Sequence, residues 1–176
     1  MKAIETKLKG CFILEPTLFE DSRGYFFEAF SKSKFEDLTG ASSDFVQDNQ
    51  SKSSYGVVRG LHQQVGEFAQ AKLVRVLEGR VLDVAVDVRE GSPTYGEYIA
   101  VELSAENNRQ FYIPRGFLHG FAVLSDTATF FYKCDNVYNK DSEDGVHPLD
   151  ETLAVDWQLP LADIILSEKD KQARVF

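Results

Sequence analysis

Between Lys72 and Arg89 the chain runs through two apolar-rich arms, 72–77 and 81–89, separated by Glu78-Gly79-Arg80. In the second arm Leu82, Val84, Val86 and Val88 recur at every second position, with Asp83, Asp87 and Arg89 falling between them. A period of two is the repeat of an extended strand, whose successive side chains point to opposite faces. A helix cannot gather that set on one side. The glycine between the arms reads as the turn of a hairpin. By the same period Lys72 shares a face with Val74 and Val76, so this lysine is expected to point inward with the valines.

Further strands are expected at 98–103, 110–113, 121–124 and 128–134. Turn signals at Gly91-Ser92-Pro93, Glu106-Asn107-Asn108 and Ser125-Asp126 punctuate them. One short helix is legible, with Ser33 as its cap, Glu36 as the capping-box partner and Gly40 as its stop. The polar stretch 139–145 reads as a loop and the tail 166–171 as partly exposed. Short strands at this spacing with little helix predict a mainly β, antiparallel barrel or sandwich. A length of 176 residues, with no repeat and no linker, fits a single domain over 1–176.

The formal net charge of −9 argues against nucleic acid or an anionic membrane as a partner. A small anionic ligand is still compatible, because Arg23, Arg59, Lys72 and Arg115 can make one pocket locally basic. Cys11 and Cys134 lie far apart without metal-ligand spacing and read as reduced thiols. Residues 1–7 lack the apolar core of a signal peptide, and no window reaches the length of a membrane span. These features together predict a soluble, cytoplasmic protein.

The chain has three histidines, and two of them sit in glycine-flanked cassettes. One is Arg59-Gly60-Leu61-His62, and the other is Pro114-Arg115-Gly116-Phe117-Leu118-His119-Gly120-Phe121. His62 is either held by local hydrogen bonds or, near a carboxylate, a general base, since imidazole titrates near neutrality. Asp83, Asp87 and Asp170 are the candidate orienting carboxylates, and the residues alone do not choose among them. Lys72 at a strand end either reaches solvent or places a positive charge beside an oxyanion or enolate. Tyr132, beside Phe130 and Phe131, is either core or a proton donor whose phenolate a nearby cation would ease.

The Pro114–His119 stretch fits P-x-G-x-x-H and resembles the second motif of the cupin barrels. In metal cupins that histidine joins an H-x-H pair and a glutamate from a first motif. The matching segment here is His62-Gln63-Gln64, so the second histidine is missing although Glu67 remains. A metal-free cupin-type barrel is the better fit. Asp21-Ser22-Arg23-Gly24 leads into Tyr25-Phe26-Phe27-Glu28, where Phe26 and Glu28 share a face. That pattern is a packed strand or an aromatic face with Arg23 for phosphate and Glu28 for a hydroxyl or imide. Gln47 and Asn49 also share a face, and paired amides suit polar recognition.

Taken in order, the segments Asp21–Gly24, Gln47-Asp48-Asn49-Gln50-Ser51, Arg59–His62, Gln70–Val76, Gly91–Gly96, Pro114–Phe121, Tyr132-Lys133-Cys134, Val155-Asp156-Trp157 and Leu166–Asp170 resemble the dTDP-4-dehydrorhamnose 3,5-epimerase family. The resemblance runs from about residue 3 to residue 171. It implies a cupin-type antiparallel jelly-roll with short helices, dimerising by exchange of N-terminal strands. It implies a cofactor-independent isomerase that takes a dTDP-4-keto-6-deoxyhexose and serves dTDP-L-rhamnose biosynthesis. On the matching positions His62 is the base, Asp170 orients it, Tyr132 is the proton donor and Lys72 steadies the enolate. Arg23, Phe26, Glu28, Gln47, Asp48, Asn49, Arg59, His119, Glu143 and Lys169 fall on substrate-contacting positions, and Tyr138 on the one that stacks on thymine. No GxGxxG fingerprint is present, in keeping with a reaction that needs no redox cofactor.

The chain departs from the family pattern at Glu143-Asp144-Gly145-Val146-His147-Pro148, where many members carry an aromatic residue soon after Glu-x-Gly. Three alternatives stay open on residues alone. One is an epimerase acting only at C3 or only at C5, and another is a non-catalytic sugar-nucleotide-binding cupin. The third, a metal cupin, is weakened by Gln64.

Overall fold

A computed structural model describes residues 1–42 and 44–176. The strands, numbered in chain order, are β1 (Lys2–Glu5), β2 (Phe12–Glu15), β3 (Phe19–Asp21), β4 (Gly24–Phe26), β5 (Gln47–Ser54), β6 (Val58–Gln64) and β7 (Lys72–Glu78). They continue with β8 (Arg80–Asp87), β9 (Tyr98–Ser104), β10 (Gln110–Ile113), β11 (Phe117–Val123), β12 (Thr127–Cys134) and β13 (Glu143–Gly145). Among the described residues there are two α-helices, α1 (Lys32–Thr39) and α2 (Glu168–Lys171), and three single turns of 3-10 helix. A six-stranded sheet runs β1-β2-β10-β7-β12-β5 and a five-stranded sheet runs β13-β6-β11-β8-β9. Every pairing within them is antiparallel. The two sheets face one another as a cupin-like jelly-roll, the architecture expected for this chain.

One expectation fails. β7 and β8 do not form a hairpin, because β7 pairs with β10 and β12 while β8 pairs with β9 and β11. Gly79 is the corner at which the chain leaves one sheet for the other. Its φ is +78°, and a Cβ there would lie 2.0 Å from the Thr127 carbonyl oxygen. The glycine marks a sharp change of direction in both readings, but only the pairing tells a hairpin from a corner.

Three buried layers explain which residues became strands. Between the sheets, Val74, Val76, Phe111 and Phe130 meet Val81, Ala85, Val101 and Phe121. On the outer face of the five-stranded sheet, Leu82, Val84, Val86 and Leu118 are covered by Val146, Leu153 and Trp157 of the C-terminal segment. On the outer face of the six-stranded sheet, Leu14, Leu73 and Tyr112 pack against Phe35 of α1. The alternating Leu82-Val84-Val86 face therefore points away from the barrel interior, and the face with Asp83 points into it. Both faces of β8 are buried, as they must be in a sheet covered on both sides.

The helix starts earlier than expected. Ser31, not Ser33, holds the N-cap position, with extended backbone and no side-chain cap hydrogen bond. Its carbonyl closes the first turn by accepting from Phe35 N–H at 2.9 Å. Gly40 ends the helix as expected, at φ +67°. The stretch 139–145 is not all loop, since Glu143–Gly145 adds β13 to the edge of the five-stranded sheet.

Two tight places hold this frame. Gly60 on β6 and Gly120 on β11 press together, so a Cβ on Gly60 would lie 2.6 Å from the Gly120 Cα. That contact accounts for a glycine beside each cassette histidine. Asp87 closes the 88–97 loop by accepting from Arg89 Nη2 at 2.7 Å and from the Ser92 and Thr94 hydroxyls at 2.6 Å each. Burial opposes its charge, yet the hydrogen bonds from Arg89, Ser92 and Thr94 hold its carboxyl well below the usual carboxylate range.

Gly60→Ala, with a positive φ and backbone in its way, is expected to cost about 3 kcal/mol in urea denaturation. Gly40→Ala, which has nothing within 4 Å of its new methyl, is expected to cost about 1 kcal/mol. Equal losses would place the constraint elsewhere. Because the Asp87 carboxyl is depressed on folding, its stabilisation is full above an unfolded value of about 3.9 and drains as pH falls below it. Melting temperatures taken from neutral pH down to about pH 2 should show that fall in the wild type and a flatter acid limb in Asp87→Asn.

Candidate active site

The barrel interior opens into a cavity of about 590 Å³ bounded by β5, β6, β7, β11, β12 and the segment 165–170. Two side chains reach it from neighbouring strands of the five-stranded sheet. His62 on β6 and His119 on β11 are register partners. Two more reach it from neighbouring strands of the facing sheet, Lys72 at the start of β7 and Tyr132 on β12. The cavity thus has an imidazole wall and an ammonium–phenol wall.

Each candidate carboxylate has one place. Asp170 Oδ1 lies 2.6 Å from His62 Nε2, its side chain 4% exposed against 34% for the histidine. Burial opposes charge on Asp170, but hydrogen bonds from His62 and Ser167 hold its carboxyl below the ordinary range. Asp83, wholly buried, sets both oxygens 3.0 Å from His119 Nε2. Burial pushes the Asp83 carboxyl up and the His119 imidazole down, both toward neutrality. Asp87, at the end of β8, is taken up by the 88–97 loop and does not line the cavity.

On the facing wall, burial lowers the Lys72 pKa, opposed by Cys134, Asp83 and Glu143. Its Nζ stands 6.0 Å from the centre of the Tyr132 ring and, among the described residues, makes no ion pair. Burial raises the Tyr132 phenol, with Arg59 pulling the other way. Arg59 also lines the cavity, its Nε donating to Ser53 Oγ at 3.1 Å.

The rim is a chain of polar contacts. Asn49 accepts from Gln47 Nε2 at 3.0 Å, and Gln47 Oε1 accepts from the Tyr138 N–H at 3.1 Å. Burial and the nearby Glu143 carboxylate raise the Tyr138 phenol, and Glu143 pairs with Lys169 at 2.5 Å. Asp48 is turned to the opposite face of β5, where it pairs with Lys133 at 3.0 Å. Arg23, Phe26 and Glu28 do not line this cavity. They sit on or beside the exposed β3–β4 hairpin, where Arg23 pairs with Asp21, Glu28 pairs with Lys34, and Phe26 is 69% exposed.

Sequence reading missed the apolar side of the cavity. Phe121 and Phe130 stack at 4.2 Å between ring centroids, and Val57, Ile165 and Leu166 continue that wall. The period-two step from His119 to Phe121 was the available signal. In the 143–148 segment Val146 is fully buried in the outer core, and Glu143 lines a hollow shared with His62, Lys169 and Asp170.

The family model described as dTDP-4-dehydrorhamnose 3,5-epimerase matches residues 5–176. A curated protein of that name from Shigella flexneri is 48% identical over 176 residues, covering 100% of this chain and 96% of its own. The crystal structure of such an epimerase from Elizabethkingia anophelis superposes with a TM-score of 0.97 at 63% identity, covering 100% of this chain and 96% of the other. A dTDP-6-deoxy-D-glucose-3,5-epimerase from Legionella pneumophila, solved with dTDP-4-keto-L-rhamnose, gives 0.94 at 49% identity, covering 99% and 92%.

The donor set does not suit a metal. Each cavity histidine has its Nε2 committed to a carboxylate. Gln64 turns its side-chain oxygen to the Asn139 N–H at 2.8 Å, and Glu67 is exposed on a separate turn. No group of three or more ligating side chains forms among the described residues. The purified protein is expected to carry no stoichiometric metal and to keep its melting temperature in chelator. Elemental analysis finding one tightly held ion per chain would overturn this.

Proposed function

This chain belongs to the dTDP-4-dehydrorhamnose 3,5-epimerase family, and on that premise we propose that it inverts C3 and C5 of dTDP-4-dehydro-6-deoxy-D-glucose to give dTDP-4-dehydro-L-rhamnose. One arrangement carries this reading: a carboxylate-held imidazole on one wall and an ammonium beside a phenol on the other.

The C4 ketone acidifies the hydrogens on C3 and C5. His62 takes one of them, and the C–H electron pair moves into the carbonyl to leave an enolate on the C4 oxygen. Asp170 keeps the His62 ring turned toward the sugar and steadies the imidazolium that forms. Lys72 offers a localised charge to the enolate oxygen, with His119 beside it. Its partial burial strengthens that interaction, since charges attract more in a site that excludes water. Tyr132 returns a proton from the opposite sheet, so the carbon is reprotonated on its other face and inverts. Solvent then takes the proton from the His62 imidazolium and returns one to the Tyr132 phenolate, and repeating the cycle at the second carbon gives the product without a redox step.

The nucleotide lies at the rim. Arg59 and Lys169 face the diphosphate, Tyr138 offers its ring to thymine, and Gln47, Asn49 and Glu143 supply polar contacts. Arg23, Phe26 and Glu28 complete a neighbouring copy's site across a dimer made by exchange of N-terminal strands. The exposed apolar side chains Phe19, Tyr25 and Phe26 on one hairpin, and the open edge at β1, support that assembly. Two free, buried thiols suit a reducing compartment, the cytoplasm.

In heavy water the wild type should place deuterium at both C3 and C5, whereas an enzyme acting on one centre would label one carbon only. His62→Ala should abolish exchange at both positions and lower turnover by about 10²–10⁴-fold or more. Tyr132→Phe keeps the ring and loses the donor, so exchange at the substrate carbon should outlast product formation. Normal turnover in either variant would unseat these roles. Light scattering at micromolar concentration should give twice the chain mass, and a monomer would remove the strand-exchange assembly.

A further inference from the structure

Asp170 rides on a helix of four residues. A single helical turn has too few hydrogen bonds to hold itself in place, so something else must fix the carboxylate against His62. The segment is tied down on either side of α2. Before it, Ile165 bridges Val57, with its N–H donating to the Gly56 carbonyl at 2.9 Å and its carbonyl accepting from Val58 N–H at 3.0 Å. After it, Arg174 bridges Val146, and its carbonyl accepts from His147 N–H at 2.8 Å.

The second anchor continues through side chains. Arg174 grips Asp144 with Nε at 3.1 Å and Nη2 at 3.0 Å, a fork that fixes both position and angle. Asp144 sits on β13 and also accepts from Gln63 Nε2 at 2.8 Å. Gln63 is the residue after His62 on β6, and its register partner across the pair is Asp144 itself. The links close on themselves: His62 to Asp170, along α2 to Arg174, across to Asp144, back to Gln63 and so to His62. Burial opposes the charge on Asp144, yet Arg174 and Gln63 hold its carboxyl below the ordinary range, so it stays an anion for Arg174 to grip.

We propose that Arg174, through its forked pair with Asp144, is a positioning residue that holds Asp170 against His62. It touches neither the main cavity nor the proposed substrate contacts, and it acts on the reaction only by setting the geometry of the base. This rests on the role of His62 and Asp170 given above. Displacing a catalytic group by an ångström can cost up to about 10²-fold in rate. Loss of the side-chain fork, with the backbone bridge at Arg174 kept, is therefore expected to cost about 10-fold.

The test uses the full chain and four variants: Arg174→Ala, Arg174→Lys, Asp170→Asn and the Arg174→Ala/Asp170→Asn double, each first checked for native circular dichroism and dimer mass. Arg174→Ala should lower kcat about 10-fold with KM within about twofold of wild type. Arg174→Lys should recover only part of the loss, because an ammonium cannot make the fork. In the Asp170→Asn background the same Arg174→Ala change should cost little more, since groups that act through one another are not additive. Full additivity, or a raised KM with unchanged kcat, would overturn the proposal. Should Arg174→Ala prove unfolded, Arg174→Lys carries the same comparison alone and in the Asp170→Asn background. An Asp170→Asn protein with wild-type kcat would instead remove the role of the dyad, an outcome separate from an inert Arg174.

Discussion

The five-stranded sheet has no face it can give to water. Its inner side meets the other sheet, and its outer side carries Val58, Leu82, Val84, Val86 and Leu118, all buried. An apolar surface of that extent has to be covered, and among the described residues no long helix is present to do it. The chain uses its own irregular segment after Gly145, with Val146, Leu153 and Trp157 as the covering side chains. Trp157 is held there by its indole N–H, which donates to the Pro148 carbonyl at 2.7 Å. The same covering segment then reaches the mouth of the cavity and delivers Lys169 and Asp170. Covering the core and completing the site are one event in this fold.

Much of the strand pattern could be read from sequence because period two survives without knowledge of neighbours. Residues 110–113 match their strand end to end, and Lys72 points inward with Val74 and Val76 as its spacing required. What could not be read was which strand lies beside which. Gly79 looks the same in sequence whether it closes a hairpin or turns a corner between sheets. The cover formed by 146–166 was invisible for a related reason, since its apolar residues follow no period and acquire a common face only when laid on the sheet. Ser33 misled because Ser31 is equally suited to begin the helix.

The site divides along the same line. His62, His119, Lys72 and Tyr132 stood out through glycine flanks and face-sharing, and all four line one cavity. Their carboxylate partners did not, because Asp83, Asp87 and Asp170 differ only in where the fold carries them. Two of them end on histidines and the third on Arg89. The acidic composition was also no guide to the cavity itself, where Arg59, Lys72 and Lys169 gather within a chain of net charge −9. Three of the chain's 19 lysines and arginines are enough to make one hollow locally basic while the chain as a whole is an anion.

The corner at Gly79 has a further consequence, for the order in which the molecule forms. Among the described residues, the strands consecutive in the chain that pair with each other are β1–β2, β3–β4 and β8–β9. The remaining ladders join segments separated by whole elements, such as β5 with β12 and β2 with β10. Local encounters therefore contribute little, and loop closure must be met before most ladders can begin to zip. A chain wired this way condenses slowly for its length. During that interval its sheet edges are open to other chains, at the stage when self-association competes most directly with folding.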